Sequence, residues 1–151
     1  MEVSRLDLPV DEARRRFSAA RVARLATADG EGQPHIVPVT FAAAGDHIYS
    51  AVDAKPKRTT LLRRLRNIAA NSRVAVLADH YDDNWDELWW VRADGHAAIL
   101  DTPGEMAGPL RLLAERYPQY RWNQPGGPVI SVLVERWAGW SASAHPNGWP
   151  A

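Results

Sequence analysis

The sequence predicts a mainly β protein, an antiparallel barrel with helices packed at its sides. Three observations lead there. The β-type runs are short and joined by hairpin-length turns, and the elements follow the order α-β-β-β-α-β-β-α-β, which does not suit a parallel α/β sheet. At 151 residues, 46% of them hydrophobic, the chain can bury one sizeable core. A single domain over residues 1–144 is expected, with a disordered tail over 145–151.

Each element has a local reason. Pro9 to Phe17 reads as a short helix, with Val10, Ala13 and Phe17 on one side and Arg14, Arg15 and Arg16 mostly on the other. Val22–Ala28 is a strand closed by the turn Asp29-Gly-Glu-Gly32. Gln33–Phe41 alternates, placing His35, Val37, Val39 and Phe41 on one face and Ile36, Pro38 and Thr40 on the other. Pro38 cannot donate a ladder hydrogen bond, so this strand is an edge or carries a bulge. Ala44-Gly-Asp46 then turns into a third run, His47–Asp53.

A helix over Thr60–Ala70 gathers Leu61, Leu62, Leu65, Ile68 and Ala69 in one apolar arc. Arg63, Arg66 and Asn67 fall opposite, and Arg64 falls on the flank. Ser72–Asp79 and Leu88–Leu100 read as strands joined by the acidic loop His80–Glu87, with Asp94-Gly95 marking a bulge or a further turn. Thr102-Pro-Gly-Glu105 has the form of a capping box with proline at the first helical position. That helix reaches Tyr117, although Gly108-Pro109 weakens its first turns. Pro125-Gly-Gly-Pro128 breaks the chain before a last β run, Val129–Trp137, extending towards Ser141.

Charge is local. Lysines and arginines number 18 and acidic residues 18, so no global field draws nucleic acid to the chain. Yet between Ala54 and Ala78 there are seven basic residues and no acidic one. The pre-helix turn Lys55-Pro-Lys-Arg58 offers an anion cationic side chains and the positive end of a helix dipole. Thr59 and Thr60 can cap that helix or bond an oxyanion. Arg63 and Arg66, on the outer face, are accounted for by solubility alone.

Other chemistries lack a signature. The chain has no cysteine, which removes disulfides and thiolate metal sites and agrees with a cytoplasmic location. No apolar run is long enough to span a membrane, and the start, Met1-Glu-Val-Ser-Arg, is not a signal peptide. There is no nucleophile elbow, Walker loop or dinucleotide fingerprint. The five histidines show no metal-ligand spacing, and the acidic loop reads as solvated surface. No residue is named as catalytic and none as a metal ligand. Seven tryptophans favour an interface or stacking on a flat ligand; for Trp89-Trp90, core plus subunit interface is the simpler reading.

Ala23-Arg-Leu-Ala-Thr27, Gly32-Gln-Pro-His-Ile-Val-Pro-Val-Thr-Phe41 and Tyr49-Ser-Ala-Val-Asp-Ala-Lys-Pro-Lys-Arg58 resemble the pyridoxamine 5′-phosphate oxidase-like superfamily. Within it the chain is similar to the F420-dependent branch of actinobacterial type. Leu65-Arg-Asn-Ile68, Asp79-His-Tyr-Asp82, Leu88-Trp-Trp-Val-Arg92 and Tyr117-Pro-Gln-Tyr120 extend the likeness, which covers roughly residues 10–143. The resemblance implies an FMN-binding split β-barrel, homodimeric, with cofactor sites at the subunit interface. It implies that Pro38, Val39 and Thr40 line a flavin-type ring or its side chain, that Ser50, Ala51 and Val52 flank it, and that Lys55, Lys57, Arg58 and Thr60 hold the phosphate and an acidic tail.

The implied activity is an F420H2-dependent reductase delivering a hydride to an unsaturated or conjugated organic substrate. The alternatives are an FMN-dependent oxidoreductase and a carrier that binds F420 with little turnover. The F420 tail adds carboxylates to its phosphate and needs more cationic reach than FMN, which Lys55–Arg58 with Arg64 supply. The expected partners are a second copy of the chain and a small-molecule substrate, with neither nucleic acid nor membrane.

Overall fold

A computed structural model describes residues 8–52 and 59–144; for 59–62 and 144 it describes the backbone alone. The elements are α1 (Val10–Ala19), β1 (Ala23–Ala28), β2 (Pro34–Val39), β3 (Ala42–Ala44), β4 (His47–Ala51), α2 (Thr59–Ala70), β5 (Arg73–His80), β6 (Trp89–Leu100), α3 (Pro103–Arg116), α4 (Gln119–Trp122) and β7 (Val129–Ser141). All strand pairs are antiparallel, in one seven-stranded sheet of order β2-β1-β5-β6-β7-β4-β3.

The connectivity forces that sheet to curl. Laid flat, its outermost strands would be about 29 Å apart at the usual strand spacing. Yet the outermost strands, β2 and β3, are joined by only Thr40 and Phe41, and such a link reaches at most about 11 Å. The ends of the sheet must therefore approach each other, which gives the mainly β, barrel-like architecture with flanking helices.

The interior follows from the alternation. Leu25, Val39, Phe41, Ile48, Val76, Val91, Ile130 and Val132 form the main core, closed at one side by Ala13 and Phe17 of α1. Phe17 packs its ring against Phe41 at 4.8 Å and against Trp137 at 5.4 Å. Val10 stays exposed, so α1 buries a narrower stripe than its sequence suggested. Arg14 is not free either: it pairs with Asp46 at 2.8 Å and lies over Trp137.

The β2 strand sits at the sheet edge, as Pro38 required, with His35 and Val37 turned towards the interior and Ile36 and Pro38 exposed. A bulge falls between Asp94 and Gly95 on β6. A Cβ at Gly95 would lie 2.0 Å from the Leu133 carbonyl oxygen, so only glycine lets β7 approach there. The capping box at Thr102 is present, with both Thr102 and Glu105 hydrogen-bonded across it and Pro103 opening α3. The helix runs on through Pro109 without interruption.

Three sequence expectations need correction. The short strand β3 exists where no separate strand was expected, because Ala42–Ala44 pairs with β4 across the Gly45 turn. On α2, Asn67 does not face outward: it is 3% exposed and donates its amide to the Thr27 hydroxyl at 3.0 Å. Arg64 is buried with it, three residues away on the same helical face, whereas Ala69 is exposed. The helix thus turns a polar stripe inward against β1, because a buried hydroxyl there needs a partner. The expected tail over 145–151 lies outside the described residues. No helix among the described residues is long and apolar enough to cross a membrane.

Candidate functional site

Two places on the molecule carry more polar chemistry than packing needs. The first is the corner where β2 ends. Thr40 follows Val39 directly, and its hydroxyl lies 2.7 Å from the Tyr120 hydroxyl. Its carbonyl accepts a hydrogen bond from the Ser50 hydroxyl at 2.9 Å. The next residue, Phe41, donates its N–H to the Tyr117 hydroxyl at 3.1 Å. The Tyr117 hydroxyl also lies 2.9 Å from the carbonyl of Arg21 and 3.1 Å from that of Phe41. Arg116 donates to the carbonyls of Phe41 and Ala20, its guanidinium resting over the rings of Phe41 and Tyr117. A second, smaller apolar cluster of Ala42, Leu113 and Tyr117 backs this corner, with Ala51, Leu110, Leu112 and Tyr120 packed on it.

The second place is the inward face of α2. Arg64 is 8% exposed, its Nε has no hydrogen-bond partner, and burial alone lowers its pKa from the ordinary guanidinium value. On the strands beneath, Thr27 of β1 pairs in register with His35 of β2, whose Nδ1 is also buried without a partner. Asn67 bonds to Thr27 one helical turn beyond Arg64. A buried guanidinium is costly unless its donors are paired, and here Nε is left without an acceptor among the described residues.

The structure brings some of the expected residues together and separates others. Thr40 and Ser50 meet through a hydrogen bond, although they lie on opposite ends of the strand order. Pro38 is exposed on the free side of β2, and Ala51 is half-buried beside α3. Val39 and Val52 are 9% and 4% exposed and belong to the main core, so neither presents its side chain to a ligand. The Val52 N–H is taken by the Pro128 carbonyl at 2.8 Å. Thr60 sits in the first turn of α2, while Lys55, Lys57 and Arg58 lie outside the described residues. Tyr120, His35 and the inward orientation of Arg64 were missed. The Tyr117-Pro-Gln-Tyr120 segment was visible in the sequence, but nothing local tied it to Thr40, 80 residues away.

Elsewhere the polar groups are spent on structure. Asp82 and Asn84 accept from the N–H groups of Asn84 and Asp86, so the acidic loop uses them as turn formers. Trp89 packs on the core and stacks with His80, whereas Trp90 lines an open groove of about 500 Å³ on the sheet's outer face. Arg24, Ile36, Leu77, Asp79 and Arg92 line the same groove.

A curled seven-stranded antiparallel sheet with helices at its flanks defines a split-barrel protein. The chain belongs to the pyridoxamine 5′-phosphate oxidase family, whose model matches residues 9–141. Among solved structures it is similar to an FAD-binding protein of Mesorhizobium loti, with 25% identity over 88% of this chain and 94% of that one and a TM-score of 0.69. A conserved hypothetical protein of Mycobacterium tuberculosis shares 23% identity over 95% and 90% of the two chains, with a TM-score of 0.70. An FAD-binding protein of Mycobacterium smegmatis shares 20% identity over 89% and 94%, with a TM-score of 0.61. At these lower identities the two mycobacterial structures speak for the fold alone. No curated protein matches the chain.

Proposed function

We propose that this protein is an F420H2-dependent reductase acting on an unsaturated or conjugated organic substrate, working as a homodimer. The observation that carries this reading is Arg64, a buried arginine whose Nε has no hydrogen-bond partner among the described residues. It lies five residues past Thr59, about 7.5 Å along the helix axis, and adds a cation to those of the preceding Lys55–Arg58 segment of the sequence. One phosphate needs less; a phosphate followed by a carboxylate tail uses it.

In this reading Lys55, Lys57, Arg58 and Thr60 hold the phosphate end, with Arg64 behind them. The free side of β2 at Pro38, together with Thr40, Ser50 and Ala51, borders the ring. Val39 and Val52 contribute backbone and core support instead of direct side-chain contact. When bound, the reduced deazaflavin supplies a hydride. The chain's own part is to orient the ring against β2 and β4 and to exclude water with its core. The outer sheet face is suited to a second copy: its groove is mostly apolar, and the ion pairs Arg24–Asp79 and Arg92–Asp94 on that face carry both charges, so it is self-complementary.

The likeness at 25% identity to an FAD-binding protein favours a second reading, a flavin-dependent oxidoreductase using FMN or a related flavin. Titration of the purified protein with F420, FMN and FAD, followed by fluorescence, separates the two. Micromolar F420 binding that Lys57→Ala weakens tenfold or more is the expected result. Equal or tighter flavin binding overturns the deazaflavin reading. Turnover of F420H2 with an added enone or quinone distinguishes a reductase from a carrier.

A further inference from the structure

The Thr40–Tyr120 hydroxyl pair has a hydrogen to spare. Each hydroxyl carries one donor hydrogen and can accept through its lone pairs. The two oxygens lie 2.7 Å apart, so one O–H is used between them, and either atom can be the donor. The second O–H has no acceptor among the described residues, where neither side-chain oxygen makes another hydrogen bond. Both residues are only half-buried.

The corner that holds the pair is rigid. Thr40 is fixed through its carbonyl by Ser50 and through its side chain by Tyr120, and Phe41 beside it is clamped by Tyr117 and Arg116. Tyr120 itself sits against the second apolar cluster, at an edge-on 5.7 Å from Tyr117. Ala51, at the edge of the same cluster, extends an apolar floor next to the donor. A preorganised single donor beside an apolar floor suits a planar heterocycle that carries a carbonyl oxygen at its edge.

We propose that the Thr40–Tyr120 pair is a recognition device for the carbonyl edge of a flavin-type ring, and that Tyr120, on α4, is its positioning residue. This rests on the reading that such a ring lies against β2 and β4. Thr40 and Tyr120 share one hydrogen bond between their hydroxyls, so the pair keeps one O–H to donate to the ring. The ring is thereby read by a residue 80 positions from the strand it lies on.

Four variants test this by titration with F420 and FMN. Thr40→Val and Tyr120→Phe should each raise Kd about five- to tenfold, the effect of one neutral hydrogen bond. The double variant should be no weaker than Thr40→Val alone, because both changes remove the same device. Thr40→Ser, which keeps the hydroxyl and drops the methyl, should stay close to the wild type. The absorption band of the bound ring should shift in Thr40→Val but not in Thr40→Ser. Unchanged Kd in Thr40→Val and Tyr120→Phe overturns the proposal while leaving the cofactor reading intact. Loss in Thr40→Ser equal to that in Thr40→Val also overturns it, since packing would then be the cause. If Tyr120→Phe fails to fold, the Thr40 variants decide alone. A wild-type protein that binds neither F420 nor a flavin overturns this proposal together with the reading beneath it.

Discussion

Arg116, half-buried at the end of α3, and Arg64, buried on the inward face of α2, both lose contact with water, and burial lowers the pKa of each below the ordinary guanidinium value. Around Arg116 the chain supplies what water would have supplied: two backbone carbonyls and the faces of two aromatic rings. Around Arg64 it supplies nothing that accepts from Nε. Native stability is a small difference between large terms, so an uncompensated buried charge is a liability unless something outside the chain completes it. On the reading proposed above, the first arginine serves the fold and the second serves a ligand.

The sharpest way to break that distinction is to remove each charge in turn. Arg116→Met should cost about 2–3 kcal/mol, because it leaves the Ala20 carbonyl without its donor and loosens the corner at Phe41. Arg64→Met should go the other way, leaving the ligand-free protein as stable as before or more stable by about 1 kcal/mol. Urea denaturation in a phosphate-free buffer measures both. Equal losses would mean that Arg64 also serves the fold.

A smaller effect sharpens the same contrast from the ligand side. A cofactor at a hundredfold excess over its Kd adds about 2.7 kcal/mol of stability to the wild type. With Kd raised tenfold in Arg64→Met, the same concentration adds about 1.4 kcal/mol. Denaturation with and without F420 reads the difference directly. A full gain in the variant would place the anion away from Arg64.

How far the sequence revealed this follows the range of the interactions. The edge position of β2 was legible because a proline within an alternating run has few other places to go. The capping box at Thr102 was legible because both partners lie within one turn. The strand β3 was not, since three alanines show no alternation and pair only because β4 offers an edge. The inward face of α2 was misread for a similar reason. Its helical arc puts Asn67 opposite the apolar face and Arg64 on the flank, and the Thr27 hydroxyl that captures Asn67 lies 40 residues away. At the site, Thr40 and Ser50 were named from resemblance to a known family. The residue that holds Thr40 in place, Tyr120, depends on how α4 docks, which no local pattern encodes.

The weakest effect concerns a charge group that is neither buried nor waiting for a ligand. On α1, Glu12 accepts from Arg15 at 2.6 Å and from Arg16 at 2.7 Å. Those hydrogen bonds, Arg15 first and Arg16 second, lower its pKa from 4.5 to about 2. A carboxylate with a depressed folded-state pKa stabilises the protein above its unfolded value, and that contribution disappears as pH falls from about 4.5 through about 2. The urea midpoints of wild type and Glu12→Gln should therefore differ slightly at pH 5 and converge near pH 2. The gap should stay small, because an exposed pair is screened by water and salt. A gap that persists at pH 2 would assign Glu12 a packing role, whereas convergence places it with the solvated charges and leaves Arg116 and Arg64 as the meaningful contrast.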